Sequence, residues 1–189
     1  MHVRIEPTEL DGVLVVRPGR IEDERGFFSE LFRSDVWAAA GLPSAFVQVN
    51  QSRSRRGVIR GLHVQWDPPQ GKLVRVVQGA VYAVAVDVRA DSPTAGRWVG
   101  TTLVADEPRW VWAPPWFARG FQALSDLADV EYFTTAPYNP AGEAGIRWDD
   151  PAIGIGWPDP LDPLLSPKDS AASSLAAWLE RPEARFASG

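Results

Sequence analysis

Short stretches in which apolar or β-branched residues alternate with polar ones recur along the chain, at 13–17, 27–32, 46–51, 57–65, 73–78, 81–88, 98–103, 110–113, 117–124 and 130–135. Alternation sends successive side chains to opposite faces of a strand. Gly, Pro, Asp and Asn separate the runs at spacings of roughly 8–12 residues, the rhythm of an all-β sandwich or barrel and not of a βαβ fold. The expected fold is a jelly-roll-like β-barrel with short flanking helices. One helix is expected at 35–40, with Ser34 as N-cap and Gly41 as its stop, and another at 170–179. The Pro-rich segment 157–167 (WPDPLDPLLSP) suits neither a helix nor a central strand and should cross the surface extended.

A chain of 189 residues fits one domain around one core, so a single domain over 1–189 is expected. No run of about 18 uncharged apolar residues occurs, and the opening MHVRIEPTEL lacks the apolar centre of a signal peptide. The expectation is a cytoplasmic protein with no membrane partner. Cysteine is absent, which removes disulfides, thiolate nucleophiles and zinc–thiolate sites together. Chemistry therefore falls to His, Lys, Tyr and carboxylates. The net charge of −5 argues against a nucleic-acid partner, which would call for a broad basic surface, but is compatible with a single nucleotide. Nine Trp can serve both core filling and stacking on flat ligands, and most are expected in the core.

Of the two histidines, His2 is terminal. His63 lies in GVIRGLHVQ, where a regular strand would turn it to one face with Gly61 and Gln65. By itself it reads more readily as a core imidazole satisfied by a hydrogen bond. Metal-binding cupins carry a second imidazole where this chain has Gln65, and one imidazole without cysteine is a poor basis for a site of three or four side-chain ligands. No metal is expected, and His63 is free to act as a base near neutral pH. Lys72, in PPQGKLVRV, opens an apolar strand and taken alone is as readily a solvated strand-end lysine. Tyr132, in DVEYFTT, shares a face with Val130 and Thr134, where a buried tyrosine is more often structural. Asp169, in LSPKD, is by itself a carboxylate favoured at a helix N-terminus.

These positions lie within segments that resemble the dTDP-4-dehydrorhamnose 3,5-epimerase family. The segments are DERGFFSELF (23–32), FVQVNQSRSRRGVIRGLHVQ (46–65), QGKLVRVVQGAVYAVAVDVR (70–89), SPTAGRWVG (92–100), FARGFQALSD (117–126), YFTTAPYNPAGEAGIRWDDP (132–151), IGWP (155–158) and LSPKD (165–169). The resemblance implies a cupin-type jelly roll, paired as a homodimer, whose barrel mouth takes a deoxythymidine diphosphate 4-keto-6-deoxy sugar. It implies His63 as proton acceptor, Asp169 as its orienting carboxylate, Tyr132 as proton donor and Lys72 beside the keto oxygen. Arg25, Glu30, Gln48, Asn50, Arg60, Glu143 and Lys168 match positions lining the nucleotide-sugar site, and Tyr138 matches the residue that stacks on thymine. Inversion beside a ketone needs such a set: a base held within about 3 Å, a fixed cation or donor for the developing enolate, and an acid on the opposite face. No redox cofactor is needed.

The chain departs from the family at FARGF, where FAHGF is usual. Arg119 cannot act as a base at neutral pH. Either it contacts diphosphate, alongside Arg25, Arg60 and Lys168, or the protein performs only part of a double epimerisation. Phe133 and Trp116 are expected near the same pocket. The competing readings are a single-site 3- or 5-epimerase of another deoxysugar, a non-catalytic nucleotide-sugar-binding cupin, disfavoured because His63, Lys72 and Tyr132 are all present, and a metal-dependent oxygenase, disfavoured by the missing ligands.

Overall fold

The computed structural model describes residues 2–159 and 162–185. Its strands, in chain order, are β1 (Arg4–Pro7), β2 (Leu14–Arg17), β3 (Arg20–Asp23), β4 (Gly26–Ser29), β5 (Gln48–Arg55), β6 (Ile59–Gln65), β7 (Lys72–Gln78), β8 (Ala80–Asp87), β9 (Trp98–Val104), β10 (Trp110–Ala113), β11 (Phe117–Ala123), β12 (Leu127–Thr134) and β13 (Glu143–Gly145). They form two facing antiparallel sheets, ordered β1-β2-β10-β7-β12-β5 and β13-β6-β11-β8-β9, while β3 and β4 stand apart as a hairpin. From β5 to β8, and again from β10 to β12, consecutive strands alternate between the sheets. That winding is a jelly roll of the cupin type.

The sequence pattern explains the layers. Val130 and Thr134 of β12 point into the barrel with Tyr132, whereas Phe133, one residue out of phase, stacks on Trp110 on the outer side, ring centroids 6.1 Å apart. There Trp37 and Leu42, from α1 (Ser34–Ala39) and its exit, cover the first sheet. The outer face of the second sheet is covered by the C-terminal segment, including Ile153, Leu175, Trp178 and Ala184. β8, with apolar layers on both sides, reads AVYAVAVD and is buried from Ala83 to Asp87. Trp178 is fully buried and donates its ring N–H to the Val88 carbonyl at 2.8 Å.

Each of the ten expected runs contains or overlaps a strand, but four details differ. β4 stops at Ser29, so residues 30–32 are not strand, and the short polar strands β1, β3 and β13 lack the alternation that reveals the others. The helix expected at 170–179 is two helices, α2 (Pro167–Ser170) and α3 (Leu175–Leu179), because Ser166 and Ser174 each accept a backbone N–H and start a separate turn. Arg33, not Ser34, occupies the N-cap of α1 and makes no side-chain cap. Of the Pro-rich crossing, residues 160 and 161 lie outside the described residues, and Leu164 bridges to Val58 beside β6.

Candidate active site

A cavity of about 570 Å³ opens between the two sheets. Its wall is apolar at Val74, Val111, Phe121 and Val130, and polar where β5, β6, β7, β11 and β12 contribute side chains. A bulge in β6 shapes it. His63 pairs with Arg119 and Arg60 with Phe121, so three steps along β6 match two along β11. An extra residue breaks the two-residue alternation and re-aims side chains. As a result Arg60 and His63, an odd number of residues apart, both line the cavity. Gly61, in the bulge, has φ +113°, and a Cβ there would stand 2.6 Å from the Arg119 carbonyl oxygen. Only glycine lets β6 and β11 approach so closely.

His63 Nε2 and Asp169 Oδ1 are 2.6 Å apart. Asp169 Oδ2 accepts from Ser166 Oγ at 2.9 Å, and the Asp169 backbone N–H donates to the same Ser166 oxygen at 3.1 Å. Burial raises the Asp169 carboxyl's affinity for protons, but the bonds from His63 and Ser166 outweigh it and hold its pKa below the ordinary value. An ionised carboxylate accepts, so Nε2 carries the imidazole proton and Nδ1 is left with a lone pair. Nδ1 is 4.0 Å from Glu143 Oε1.

Lys72 opens β7 with its stem packed inward. Burial first, and then the charge of Arg119, pull its ammonium down from 10.5 to about 7, while Glu143 opposes the fall and Lys168 adds to it. Its Nζ is 6.0 Å from the ring centre of Tyr132. Glu143 is ion-paired with Lys168 and accepts from the Tyr138 hydroxyl at 3.1 Å. Burial raises the Glu143 pKa, but Lys168, His63 and Lys72 together bring it below the usual range. Burial likewise depresses Lys168, whose pairing with Glu143 and closeness to Tyr138 raise it overall. Tyr138 is half exposed at the mouth, its backbone N–H held by Gln48 Oε1 at 2.8 Å, and Gln48 Nε2 donates to Asn50 Oδ1 at 3.0 Å. Arg60 is tied to Ser54 Oγ at 3.0 Å and the Arg53 carbonyl at 3.1 Å.

The structure thus brings His63, Lys72, Tyr132, Asp169, Gln48, Asn50, Arg60, Arg119, Tyr138, Glu143 and Lys168 to one cavity. It does not bring Arg25 and Glu30 there. Both lie on or just beyond the β3–β4 hairpin, where Arg25 is paired with Asp23 and Glu30 stands 3.6 Å from Arg33. Phe133 and Trp116 are also absent from the lining; one belongs to the outer aromatic cluster and the other packs beside Phe117. None of the nine Trp lines the cavity. Gln65, at the place of the second imidazole of metal-binding cupins, is engaged by the carbonyls of Pro68 and Pro137 and the N–H of Asn139. Ser166 is a site residue beyond those expected from the sequence, though S-P-K-D carries a legible signal: an N-cap serine, a first-turn proline and a carboxylate three residues on.

Among the described residues, the basic side chains of Arg60, Lys72, Arg119 and Lys168 line the cavity against the carboxylates of Glu143 and Asp169. In a chain of net charge −5 this concentrates positive charge where an anionic ligand would enter. A base with its orienting carboxylate, a low-pKa lysine and a phenol around one space can move protons on both sides of a carbon acid.

A sequence model of dTDP-4-dehydrorhamnose 3,5-epimerase matches residues 7–177. The dTDP-4-dehydrorhamnose 3,5-epimerase of Neisseria gonorrhoeae is 51% identical over 89% of this chain, which spans about half, 52%, of that relative's length. The dTDP-4-dehydrorhamnose 3-epimerase of Streptomyces niveus is 42% identical over 92% of this chain and 84% of its own. The crystal structure of dTDP-6-deoxy-D-glucose-3,5-epimerase from Legionella pneumophila Philadelphia 1, in complex with dTDP-4-keto-L-rhamnose, superposes with a TM-score of 0.89 at 44% identity over 94% of this chain and 97% of that one.

Proposed function

The chain belongs to the dTDP-4-dehydrorhamnose 3,5-epimerase family, and on that premise we propose that it inverts C3 and C5 of dTDP-4-dehydro-6-deoxy-D-glucose to give dTDP-4-dehydro-L-rhamnose. The observation that carries the reading is the His63–Asp169 pair facing Lys72 and Tyr132 across one cavity. In the proposed reaction Nδ1 of His63 takes the proton from the carbon beside the ketone. The C–H electron pair becomes the C=C bond of an enolate, whose oxygen is held by Lys72. Tyr132 then delivers a proton to the opposite face, the carbonyl reforms, and both groups re-equilibrate with solvent. Asp169 stabilises the imidazolium as it forms, and Ser166 holds Asp169.

At the mouth, Arg60 and Lys168 meet the diphosphate and Tyr138 stacks on thymine, with Gln48 and Asn50 alongside. The proposal includes a single catalytic domain, a homodimer and a cytoplasmic location; among the described residues, no helix is long and apolar enough to cross a membrane. Support for the pair comes from the β3–β4 hairpin, which exposes Ile21, Phe27 and Phe28 next to Arg25. Incubation with the 4-keto-6-deoxyglucose nucleotide in heavy water tests the reading: NMR should show deuterium at both C3 and C5 of the product. Deuterium at C3 alone would establish the single-site reading, which Arg119 in place of histidine and the 3-epimerase relative keep open.

A further inference from the structure

Among the described residues that line the cavity, Arg119 is the one with buried side-chain nitrogens that have no hydrogen-bond partner. It is 7% exposed on β11, opposite His63 in register. Its Nη1 crosses to the other sheet and donates to the carbonyls of Gln70 at 2.8 Å, Pro114 at 3.2 Å and Ala113 at 3.4 Å. Nε and Nη2 are buried and have no partner. Burial pulls the guanidinium down to about 9, with Glu143 opposing, which leaves it charged at neutral pH. Charged donors kept from water without acceptors are expensive, and such groups call for an explanation, commonly at a functional site.

The anchoring points say which end of a ligand Arg119 meets. Ala113 pairs with Lys72 in the β10–β7 ladder, and Gln70 lies two residues before Lys72. Arg119 is therefore clamped beside Lys72 and is close enough to depress its ammonium. The residues at the open mouth are others: Tyr138 is 50% exposed, and Arg60 and Lys168 are exposed as well. A cation fixed deep in the barrel, rigid at one nitrogen and unpaired at two, has the form of an oxyanion site prepared in advance, not of a phosphate clamp.

We propose that Arg119 is a further catalytic residue, whose free Nε–H and Nη2–H groups donate, jointly with Lys72, to the oxygen that becomes negative when His63 removes the neighbouring proton. This rests on the proton-transfer chemistry proposed above. Lys72 loses its charge as pH passes about 7, and Arg119 supplies the positive charge that persists beyond it.

The test combines Arg119→Met, Arg119→Lys and the wild-type protein in three measurements. These are turnover of the 4-keto-6-deoxyglucose nucleotide, its deuterium exchange, and calorimetric binding of dTDP, which lacks the hexose. Wild type must exchange; if it does not, the epimerase reading fails and this proposal with it. Given exchange, Arg119→Met should lower kcat about a hundredfold while dTDP affinity and KM stay within about threefold, and Arg119→Lys should recover part of kcat. Removing the like charge should also move the alkaline fall of kcat/KM to higher pH. If kcat holds within threefold, or dTDP binding weakens tenfold or more, Arg119 is a phosphate contact and the proposal is overturned while the epimerase reading stands. Should Arg119→Met lack the wild-type circular dichroism and melting curve, Arg119→Gln and Arg119→Leu decide by the same kcat and dTDP criteria.

Discussion

At position 63 the nitrogen that can take a proton is Nδ1, because the ionised Asp169 claims the proton on Nε2. His63→Ala should therefore remove nearly all turnover with the fold retained, and activity above about a tenth of wild type, a barrier change under about 1.4 kcal/mol, would assign the base elsewhere. Asp169→Ala keeps the imidazole and should lower turnover less. Tyr132→Phe should separate the half-reactions: deuterium still enters recovered substrate while inverted product falls sharply, and unchanged product formation would move the acid to another group. Lys72 gives a pH signature. Protonated it stabilises the enolate, so kcat/KM should fall as pH rises through about 7, and Lys72→Arg should flatten that limb. Unfolded, the lysine titrates near its ordinary 10.5, so between about 7 and 10.5 the unfolded chain holds more protons and folding stability rises with pH. His63 and Lys72 could be picked out in the sequence as candidate residue types. The order of neighbours around them could not, since Arg119 lies 47 positions beyond Lys72 and meets it only when the sheets face each other.

At the scale of elements, the apolar alternation revealed the strands whose two faces differ, and missed those whose partners decide their fate. β13 is three residues, Glu143–Gly145, paired to β6 at the sheet edge, and nothing in EAG announces a strand. The β6 bulge was equally hidden, because periodicity counts residues and a bulge is defined by a partner strand. The glycine of RGLH was the visible trace of it. Gly61→Ala would place a methyl against the Arg119 carbonyl at 2.6 Å and the Gly120 Cα at 2.7 Å, in a φ that L-residues avoid. The expected loss is about 1–3 kcal/mol of stability from the strained backbone, with turnover falling further than the melting temperature suggests, since Arg60, His63 and Arg119 all take their aim from this crossing. Wild-type kinetics in a folded Gly61→Ala would show that the bulge does not position them. At α2, Ser166→Ala deletes both the helix cap and the support of Asp169 Oδ2. It should cost about 1 kcal/mol and lower kcat while leaving dTDP affinity unchanged.

At the scale of the whole molecule, Arg25 and Glu30 remain to be reconciled with the cavity. The family resemblance implies both as lining the nucleotide-sugar site, yet in this chain they sit on or just beyond the β3–β4 hairpin, outside the cavity lining. That hairpin exposes Ile21 at 60%, Phe27 at 62% and Phe28 at 66%, an apolar surface of the kind that marks an interface. A two-fold pair reconciles these observations if each hairpin inserts beside its partner's barrel and delivers its Arg25 there, each subunit giving what it receives. Light scattering should then find twice the protomer mass, and Phe28→Glu should shift it toward the monomer with loss of turnover. The sharper experiment mixes two inactive variants, Arg25→Ala and His63→Ala, after unfolding and refolding together. With the hairpin acting across the pair, each mixed dimer holds one site with an intact base and an intact Arg25, so random pairing restores about a quarter of wild-type activity. With the hairpin acting within its own chain, every site carries one defect and the mixture stays as inactive as its components.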